Sequence, residues 1–421
     1  MLIEFNVTNF RSLRDRQTFS LMANTQKELI ETNTFKTTAH NEFHLLRSAT
    51  IYGANASGKS NVLKALNAMR RIVLRSASSQ HGDSLKVVPF RLNSKSRYEP
   101  CEFEVTFIVD KVRYQYGFSA TAERIHDEWL LAYPKGRPQQ WFGRAWNEEK
   151  NAYDWQLGGN LTGEKHLWQK STRDNALFLS TAVQLNSEQL QPIYDWFKKT
   201  LRICDTDGWG HGFSASLCEK NEKTQMMDYL RAADLNIEDI LVENEPMQPL
   251  DLPKGTPENV KSALTLLAED IEERQVLRTV HKDNDNNLVP FDFDNDESEG
   301  TQRLFSFAGP WIDSLANGYI LFVDELHNSL HPKLVKFLVS LFHSEKTNPK
   351  NAQLVFTTHE TSILNQEVFR RDQIWFCEKD KEQATTLYPL SDFKPRKDQN
   401  LELAYLSGRF GALPYVKSLK G

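Results

Sequence analysis

The feature that most constrains this chain is the run Gly53-Ala54-Asn55-Ala56-Ser57-Gly58-Lys59-Ser60-Asn61. It follows the short apolar segment Ser48-Ala49-Thr50-Ile51-Tyr52 and precedes a helical pattern carrying Val62, Leu63, Leu66 and Met69. The spacing Gly-x4-Gly-Lys-Ser, in the order strand, loop, helix, fits a phosphate-binding loop. Glycines let successive backbone N–H groups converge on a phosphate, Lys59 neutralises β and γ oxygens, and the Ser60 hydroxyl holds Mg²⁺. From average residue frequencies, a chance match somewhere in a chain this long has odds on the order of one in a hundred, and the flanking strand and helix lower them further. Gly53, Ala54, Asn55, Ala56, Ser57, Gly58, Lys59, Ser60 and Asn61 are therefore the expected ATP-binding residues. Within the run, Lys59 is also a catalytic candidate and Ser60 a metal ligand.

Such a loop needs folded structure around it, and 421 residues suffice for two to three units at about 150 residues each. With 39% hydrophobic and 25% charged residues, 19 Gly and 16 Pro, the chain is of ordinary globular composition; collagen-like, largely disordered and disulfide-scaffold classes are excluded. Lys+Arg 51 against Asp+Glu 56 leaves a net charge of −5, so no global basic field recruits nucleic acid and any such contact must be local. No apolar run reaches the about 18 residues of a membrane span, and Met1 to Asn6 lack a signal-like pattern. A cytoplasmic location without membrane contact is expected. Cys101, Cys204, Cys218 and Cys377 are scattered with no Cys-x-x-Cys pair, and read as free thiols.

Leu2 to Phe10 alternates with the period of a strand, and Thr18 to Met22 does so after a polar turn, which predicts a β-ribbon. From Glu102 to about Trp146 the pattern is an antiparallel sheet, with Asp110-Lys111 as the turn between two alternating runs. Between Ser187 and Val280 helical patterns dominate (Leu190, Ile193, Trp196, Phe197; Leu264, Leu267, Ile271), broken by Pro246, Pro249, Pro253 and Pro257. After the acidic stretch Asp292 to Glu299, strand-helix alternation returns through Tyr319 to Asp324, Pro332 to His343 and Gln353 to Thr357. No internal repeat and no sustained heptad run is present. The expectation is an α/β fold: an N-terminal part over 1–186, a mainly helical insertion over 187–290 and a C-terminal part over 291–421.

Two further elements carry chemistry. Tyr319-Ile320-Leu321-Phe322-Val323-Asp324-Glu325 ends a buried-strand run in two carboxylates. Asp324 is placed to face Mg²⁺ through its water shell, and Glu325 to orient or deprotonate an attacking water. His359 follows the apolar run Leu354-Val355-Phe356, where an imidazole can reach a γ-phosphate.

Together with Asn9-Phe10-Arg11-Ser12-Leu13, Ser298-Glu299-Gly300-Thr301-Gln302-Arg303, Asn328-Ser329-Leu330-His331-Pro332 and Thr358-His359-Glu360, these motifs resemble the ABC-type ATPase heads of the SMC/RecF/OLD group over nearly the whole chain. Within that group the chain is most similar to stand-alone AAA-family ATP-binding proteins of the AbiLii/RloA type, found in phage-defence and abortive-infection systems. Their chains likewise end near a segment like Gly408 to Pro414. The resemblance implies an ABC-type head with an antiparallel β subdomain and Mg²⁺-dependent ATP hydrolysis. It also implies a homodimer, or a higher oligomer, that sandwiches ATP, with Ser298 and Gly300 donating to the γ-phosphate bound by the partner. Asn328 to Pro332 would be the D-loop at that seam. The chain departs from Leu-Ser-Gly-Gly-Gln at Glu297, Glu299 and Thr301, and no glutamine is assigned to the Q-loop. A separate effector, a nuclease or toxin, is implied as partner.

Two functions from other classes compete: a RecF-like DNA-maintenance ATPase and an OLD-like nuclease. Cys204-Asp205-Thr206-Asp207-Gly208 resembles a Toprim Asp-x-Asp, but it lies between the halves of the ATPase, so an exposed turn is favoured. Asp292, Asp294, Asp296 and Glu297 lack the ligand order of an EF-hand. Arg70, Arg71 and Arg75, and Lys394 to Lys397, are the best local basic clusters; solvated surface is favoured, with a nucleic-acid path left open.

Overall fold

The computed structural model describes residues 1–37, 39–40, 42–204, 209–219, 222–246, 257–258 and 273–414. The opening alternation forms β1 (Leu2–Thr8) and β2 (Gln17–Ser20), paired antiparallel with Phe5 opposite Phe19. A small hairpin of β3 (Thr34–Lys36) and β4 (His44–Leu46) follows, then β5 (Ser48–Tyr52) and the helix α1 (Lys59–Arg75). The Val62, Leu66, Met69 and Val73 side chains of α1, spaced three to four residues apart, are buried in the core, as one face of an amphipathic helix requires.

The expected antiparallel segment is a meander of β6 (Cys101–Val109), β7 (Val112–Ala120), β8 (Ile125–Tyr133), β9 (Gln139–Asn147) and β10 (Ala152–Leu157). Asp110 and Lys111 have φ of 48° and 66°, and both positive values are what a two-residue type I′ hairpin loop demands. Val109 consequently pairs with Val112. With β1 bridging β6 and β2, these strands make one seven-stranded antiparallel sheet.

The helix α2 (Phe178–Gln184) and the strand β11 (Leu201–Cys204) come next. Further along lie α3 (Gly212–Glu219), α4 (Lys223–Ala232), β12 (Asp239–Pro246), β13 (Glu273–Lys282), β14 (Leu288–Asp292) and α5 (Glu299–Asn317). The chain then returns through β15 (Ile320–Val323), α6 (Pro332–His343), β16 (Gln353–Thr357), β17 (Ile374–Lys379), β18 (Thr385–Pro389) and α7 (Leu401–Leu406). A second sheet has the order β11-β15-β16-β5-β17-β18, parallel throughout except for its last pair. Its central strands β5, β15 and β16 are buried at every residue, which explains why they read as continuous apolar runs rather than alternating ones. Phe19 joins the two sheets, its ring 6.4 Å from Phe322 and 5.1 Å from Trp375. The α/β class expected from the motifs is the class observed.

The chain divides into two compact units, Met1–Asp207 with Ser314–Gly421, and Gly208–Asp313. This division differs from the boundaries read at 186/187 and 290/291. Leu190, Ile193, Trp196 and Phe197 belong to the core of the first unit, where Trp196 stacks on Phe107 at 4.2 Å. Their apolar face is buried by the antiparallel sheet, and β11 joins the parallel sheet beside β15.

In its described residues the second unit combines helices with a three-stranded antiparallel sheet that the helical reading did not include. It contains α3, α4, most of α5 and the antiparallel sheet β12-β13-β14, in which Asp239 to Pro246 pairs with Glu273 to Val280. Leu264, Leu267 and Ile271, and the Asp205-x-Asp207 pair, lie outside the described residues. The acidic stretch holds a one-turn helix over Phe293–Asp296, capped by the Asp292 carboxylate, which accepts from the N–H groups of Asp294 and Asn295.

Candidate nucleotide site

The site is assembled by β5, β15 and β16, neighbours in the parallel sheet whose carboxyl ends lie side by side: Val323 pairs with Phe356, and Thr357 with Ile51. Open parallel sheets bind ligands in the crevice at this edge. β5 delivers the loop Gly53 to Gly58, β15 delivers Asp324 and Glu325, and β16 leads through Thr358 to His359.

The loop needs its two glycines for different reasons. A Cβ on Gly53 would lie 2.4 Å from the Cys377 carbonyl oxygen, and one on Gly58, where φ is +110°, would lie 2.1 Å from Thr385 Oγ1. Gly58 is also the residue from which α1 starts, so the first N–H groups of a 17-residue helix open onto the loop with the positive end of its dipole. Asn55 and Ala56 are exposed at its tip, Ala54 and Asn61 are half-buried, and Ser60 is half-buried in the first turn. Ala56 holds φ 61° without being glycine. The Ser57 hydroxyl is buried with no hydrogen-bond partner.

Lys59 is 5% exposed. Its ammonium donates to the carbonyls of Gly53 (2.9 Å) and Ala54 (3.1 Å) and to His359 Nε2 (2.9 Å). A nitrogen that accepts from an ammonium carries no proton, so His359 is neutral here. The electrostatics agree: burial, then the Lys59 charge, then His327 push the His359 pKa down to about 4. Burial likewise lowers the pKa of Lys59 itself.

Asp324 is buried, and Thr357 ties it to its neighbour. The Thr357 hydroxyl donates to Asp324 Oδ1 (2.6 Å) and accepts from the Glu325 backbone N–H (2.8 Å). Glu325 stands at φ 51°, a left-handed conformation that costs a non-glycine residue about 1 kcal/mol or more. Asn328 Nδ2 donates to its Oε2 at 2.9 Å. The carboxylate is thus held by a strained backbone on one side and an amide on the other. In the next turn Ser329 is also left-handed, and His331 Nδ1 accepts from the Lys333 N–H at the start of α6.

Four supports were not assigned as site residues from the sequence. Thr357 sits inside an apolar run, and nothing in its spacing marks it. Ser12 Oγ accepts from Asn61 Nδ2 at 2.7 Å, while Thr385 donates to the Ser57 carbonyl at 2.7 Å and lies 2.8 Å from Ser12 Oγ. The Asn-Phe-Arg-Ser-Leu motif therefore braces the loop from outside. His327, with its Nδ1 buried and unpartnered, has its ring 5.6 Å from that of His359.

Ser298 and Gly300 stand in the second unit, at the N-terminus of α5. Ser298 Oγ accepts from the Thr301 N–H at 3.2 Å and lies 2.9 Å from Thr301 Oγ1, and its carbonyl accepts from the Gln302 N–H. Ser298 and Glu299 are exposed and Gly300 is half-buried. The departures from Leu-Ser-Gly-Gly-Gln have local reasons. Glu297 Oε1 takes hydrogen bonds from Thr279 Oγ1 (2.5 Å) and His281 Nε2 (2.7 Å) of β13, and Thr301 completes the cap with its hydroxyl.

Among the described residues no group of three or more His, Cys, Asp or Glu is placed to hold a metal ion. The donors present, the Ser60 hydroxyl and the Asp324 carboxylate, suit a hydrated Mg²⁺ that also takes phosphate oxygens. No described helix is long and apolar enough to cross a membrane.

No curated protein matches the chain. Among solved structures, the SMC head domain from Thermotoga maritima is similar, with 11% sequence identity and a TM-score of 0.39 over 92% of this chain and 98% of that one. The family model described as "AAA domain, putative AbiEii toxin, Type IV TA system" matches residues 48–365, a span that runs from β5 past His359, and the chain belongs to this family of AAA-type ATPase domains.

Proposed function

We propose that the chain is a Mg²⁺-dependent ATPase of the ABC head type, whose ATP-closed homodimer gates a separate effector in antiphage defence. The observation that carries the reading is the convergence of Lys59, Asp324, Glu325 and His359 at the carboxyl ends of three adjacent parallel strands.

In this reading Lys59 leaves the Gly53 and Ala54 carbonyls for the β and γ oxygens of ATP, joined by N–H groups of residues 54 to 61. The charge-assisted bonds to phosphate replace weaker ones to neutral carbonyls. Withdrawal of Lys59 lets the neutral His359 ring take the tautomer with its proton on Nε2, which then donates to the γ-phosphate. Ser60 and Asp324 would hold Mg²⁺, which neutralises developing charge on the phosphate oxygens. Glu325, fixed by Asn328 and its own backbone, aligns the attacking water and takes its proton. Ser298 and Gly300 at the head of α5 complete the γ-phosphate shell from a second chain, and the D-loop Asn328 to Pro332 lines the seam.

The family description, with its putative toxin of a toxin–antitoxin system, supports placing the ATPase in an abortive-infection setting. The effector is then the partner whose contacts change as the dimer closes. The test is phosphate release with and without Mg²⁺ for the wild-type, Lys59→Ala and Glu325→Gln chains. Mg²⁺-dependent release that both substitutions abolish is expected; equal release by the Glu325→Gln chain sinks the assignment. Cleavage of plasmid or tRNA by the purified chain would instead favour the nuclease reading.

A further inference from the structure

The helix α1 begins at the phosphate loop and continues for four more turns, and the side of it away from the core is basic. Lys64, Arg71 and Arg75 lie within about 40° of one another around the helix axis at 100° per residue, and all three are exposed. Arg70, their neighbour in sequence, is not part of this face: its Nε donates to the Phe197 carbonyl at 2.8 Å.

Facing Lys64, Arg71 and Arg75 is a cleft of about 960 Å³, which Arg11 and Lys86 also line. All five cations are exposed, and none makes an ion pair among the described residues. The one carboxylate in the lining, Asp83, is engaged by the Gln80 N–H. A second cleft of about 440 Å³ shares Arg11 and Val88 with the first and adds Arg91 and Lys379, with no acidic residue. On a chain of net charge −5, seven cations beside one carboxylate form a local field opposite in sign to the whole.

We infer that this cleft binds the sugar–phosphate backbone of a single nucleic-acid strand. Cations spaced along a groove neutralise successive phosphates and release their counterions. At 1.5 Å per residue, Lys64 and Arg75 are about 16 Å apart along α1, so the larger cleft has a mean cross-section on the order of 60 Å², roughly 8 Å across. That is narrower than even the about 12 Å major groove of a duplex. That dimension suits one strand. Ile72, Leu85 and Val87, buried in the lining, give sugars and base faces an apolar floor. A bilayer is flat and would not reach cations set in a concave wall. The far end of the cleft, at Arg71 and Arg75, is about 18 to 24 Å along α1 from Lys59, beyond the reach of ATP on the phosphate loop.

The experiment is fluorescence anisotropy of a labelled oligothymidylate of about 20 nucleotides, titrated with the full chain without nucleotide over a series of salt concentrations. Five phosphate contacts at about 0.7 each give an expected log–log salt slope of about −3.5. The double variant Arg71→Glu/Arg75→Glu, changed at two exposed positions, is expected to bind at least about tenfold more weakly and to flatten the slope by about 1.4. Lys86→Glu, on a separate segment, should weaken binding in the same direction. Unchanged affinity in both variants overturns the site. Tighter binding of a duplex of equal length overturns the single-strand assignment. Recruitment to phosphatidylserine vesicles that depends on Arg71 and Arg75, with no strand bound, overturns the nucleic-acid assignment. A fluorescent ATP analogue binding the double variant as it binds the wild type is expected. That separates this surface from the phosphate loop, so either reading can fail without the other.

Discussion

The Lys59 ammonium donates to His359 Nε2 at 2.9 Å, joining residues 300 positions apart in the chain. The bond makes the imidazole an acceptor and keeps it neutral, with burial and the Lys59 charge holding its pKa near 4. A group that meets the γ-phosphate only after Lys59 has moved contributes more to turnover than to capture of nucleotide. His359→Ala is therefore expected to bind ATP within a few-fold of wild type and to lose about 10²- to 10³-fold in turnover, the range for removing one hydrogen-bond donor to developing charge, a role the ring takes in the tautomer protonated on Nε2. Equilibrium binding of a fluorescent nucleotide, set beside single-turnover hydrolysis, reads both; an equal loss in the two would assign His359 to binding instead.

Glu325→Gln keeps the shape of the side chain and leaves Asn328 an oxygen to donate to, but an amide takes no proton from water. Turnover should fall by about 10²- to 10⁴-fold, the range for a lost general base, while ATP remains bound. Lys59→Ala should lose nucleotide affinity as well. Gel filtration after incubation with ATP and Mg²⁺ checks retention of the nucleotide.

If Ser298 acts on the partner's ATP, chains carrying Lys59→Ala and chains carrying Ser298→Arg are each inactive alone and regain activity when mixed. One of the two composite sites in a mixed dimer then has both its loop and its signature intact. Up to about half of the wild-type rate per dimer is the ceiling for one site of two. Isolation of the mixed dimer by two different affinity tags makes a null result decisive against action in trans.

Stability of the antiparallel sheet rests in part on Glu128, whose side chain is fully buried with that of Arg144 at 3.0 Å. Its carboxylate also accepts from Tyr116 Oη and from the N–H groups of Phe178 and Leu179 at the start of α2. Arg144→Ala leaves this charge without its partner and is expected to cost about 3–5 kcal/mol, read as a lower urea midpoint at unchanged slope.

Acid should destabilise the fold through His343. Burial, then Arg47, lowers its pKa from about 6.5 to about 3, and Ser48 Oγ lies 2.7 Å from its Nε2. The unfolded chain takes up this proton first, so the stability held above pH about 6.5 is lost as the pH falls toward about 3. His359, with its pKa near 4, adds to the same trend. In His343→Gln, which does not titrate, the melting temperature should fall less over that interval than in wild type.

The phosphate loop, the carboxylate pair, the Asp110-Lys111 hairpin and the buried parallel strands were all legible in the amino-acid pattern. In each, the physics is local: a glycine where φ must be positive, a two-residue turn, an apolar run long enough for a strand with both faces covered. Which residues complete the site depends on contacts between segments far apart in the chain. Thr357 binds Asp324 across 33 positions, Ser12 meets Thr385 across 373, and neither pair leaves a periodic trace. Tertiary contacts also place Trp196 in the core under the antiparallel sheet and Ile240 and Leu277 in strands, since an apolar residue is indifferent to which surface covers it. Arg70 and Arg71 differ by one position in sequence and by about 100° around α1. That angle sends one to the Phe197 carbonyl and the other to the basic cleft, a distinction that exists only once the helix has a core to face.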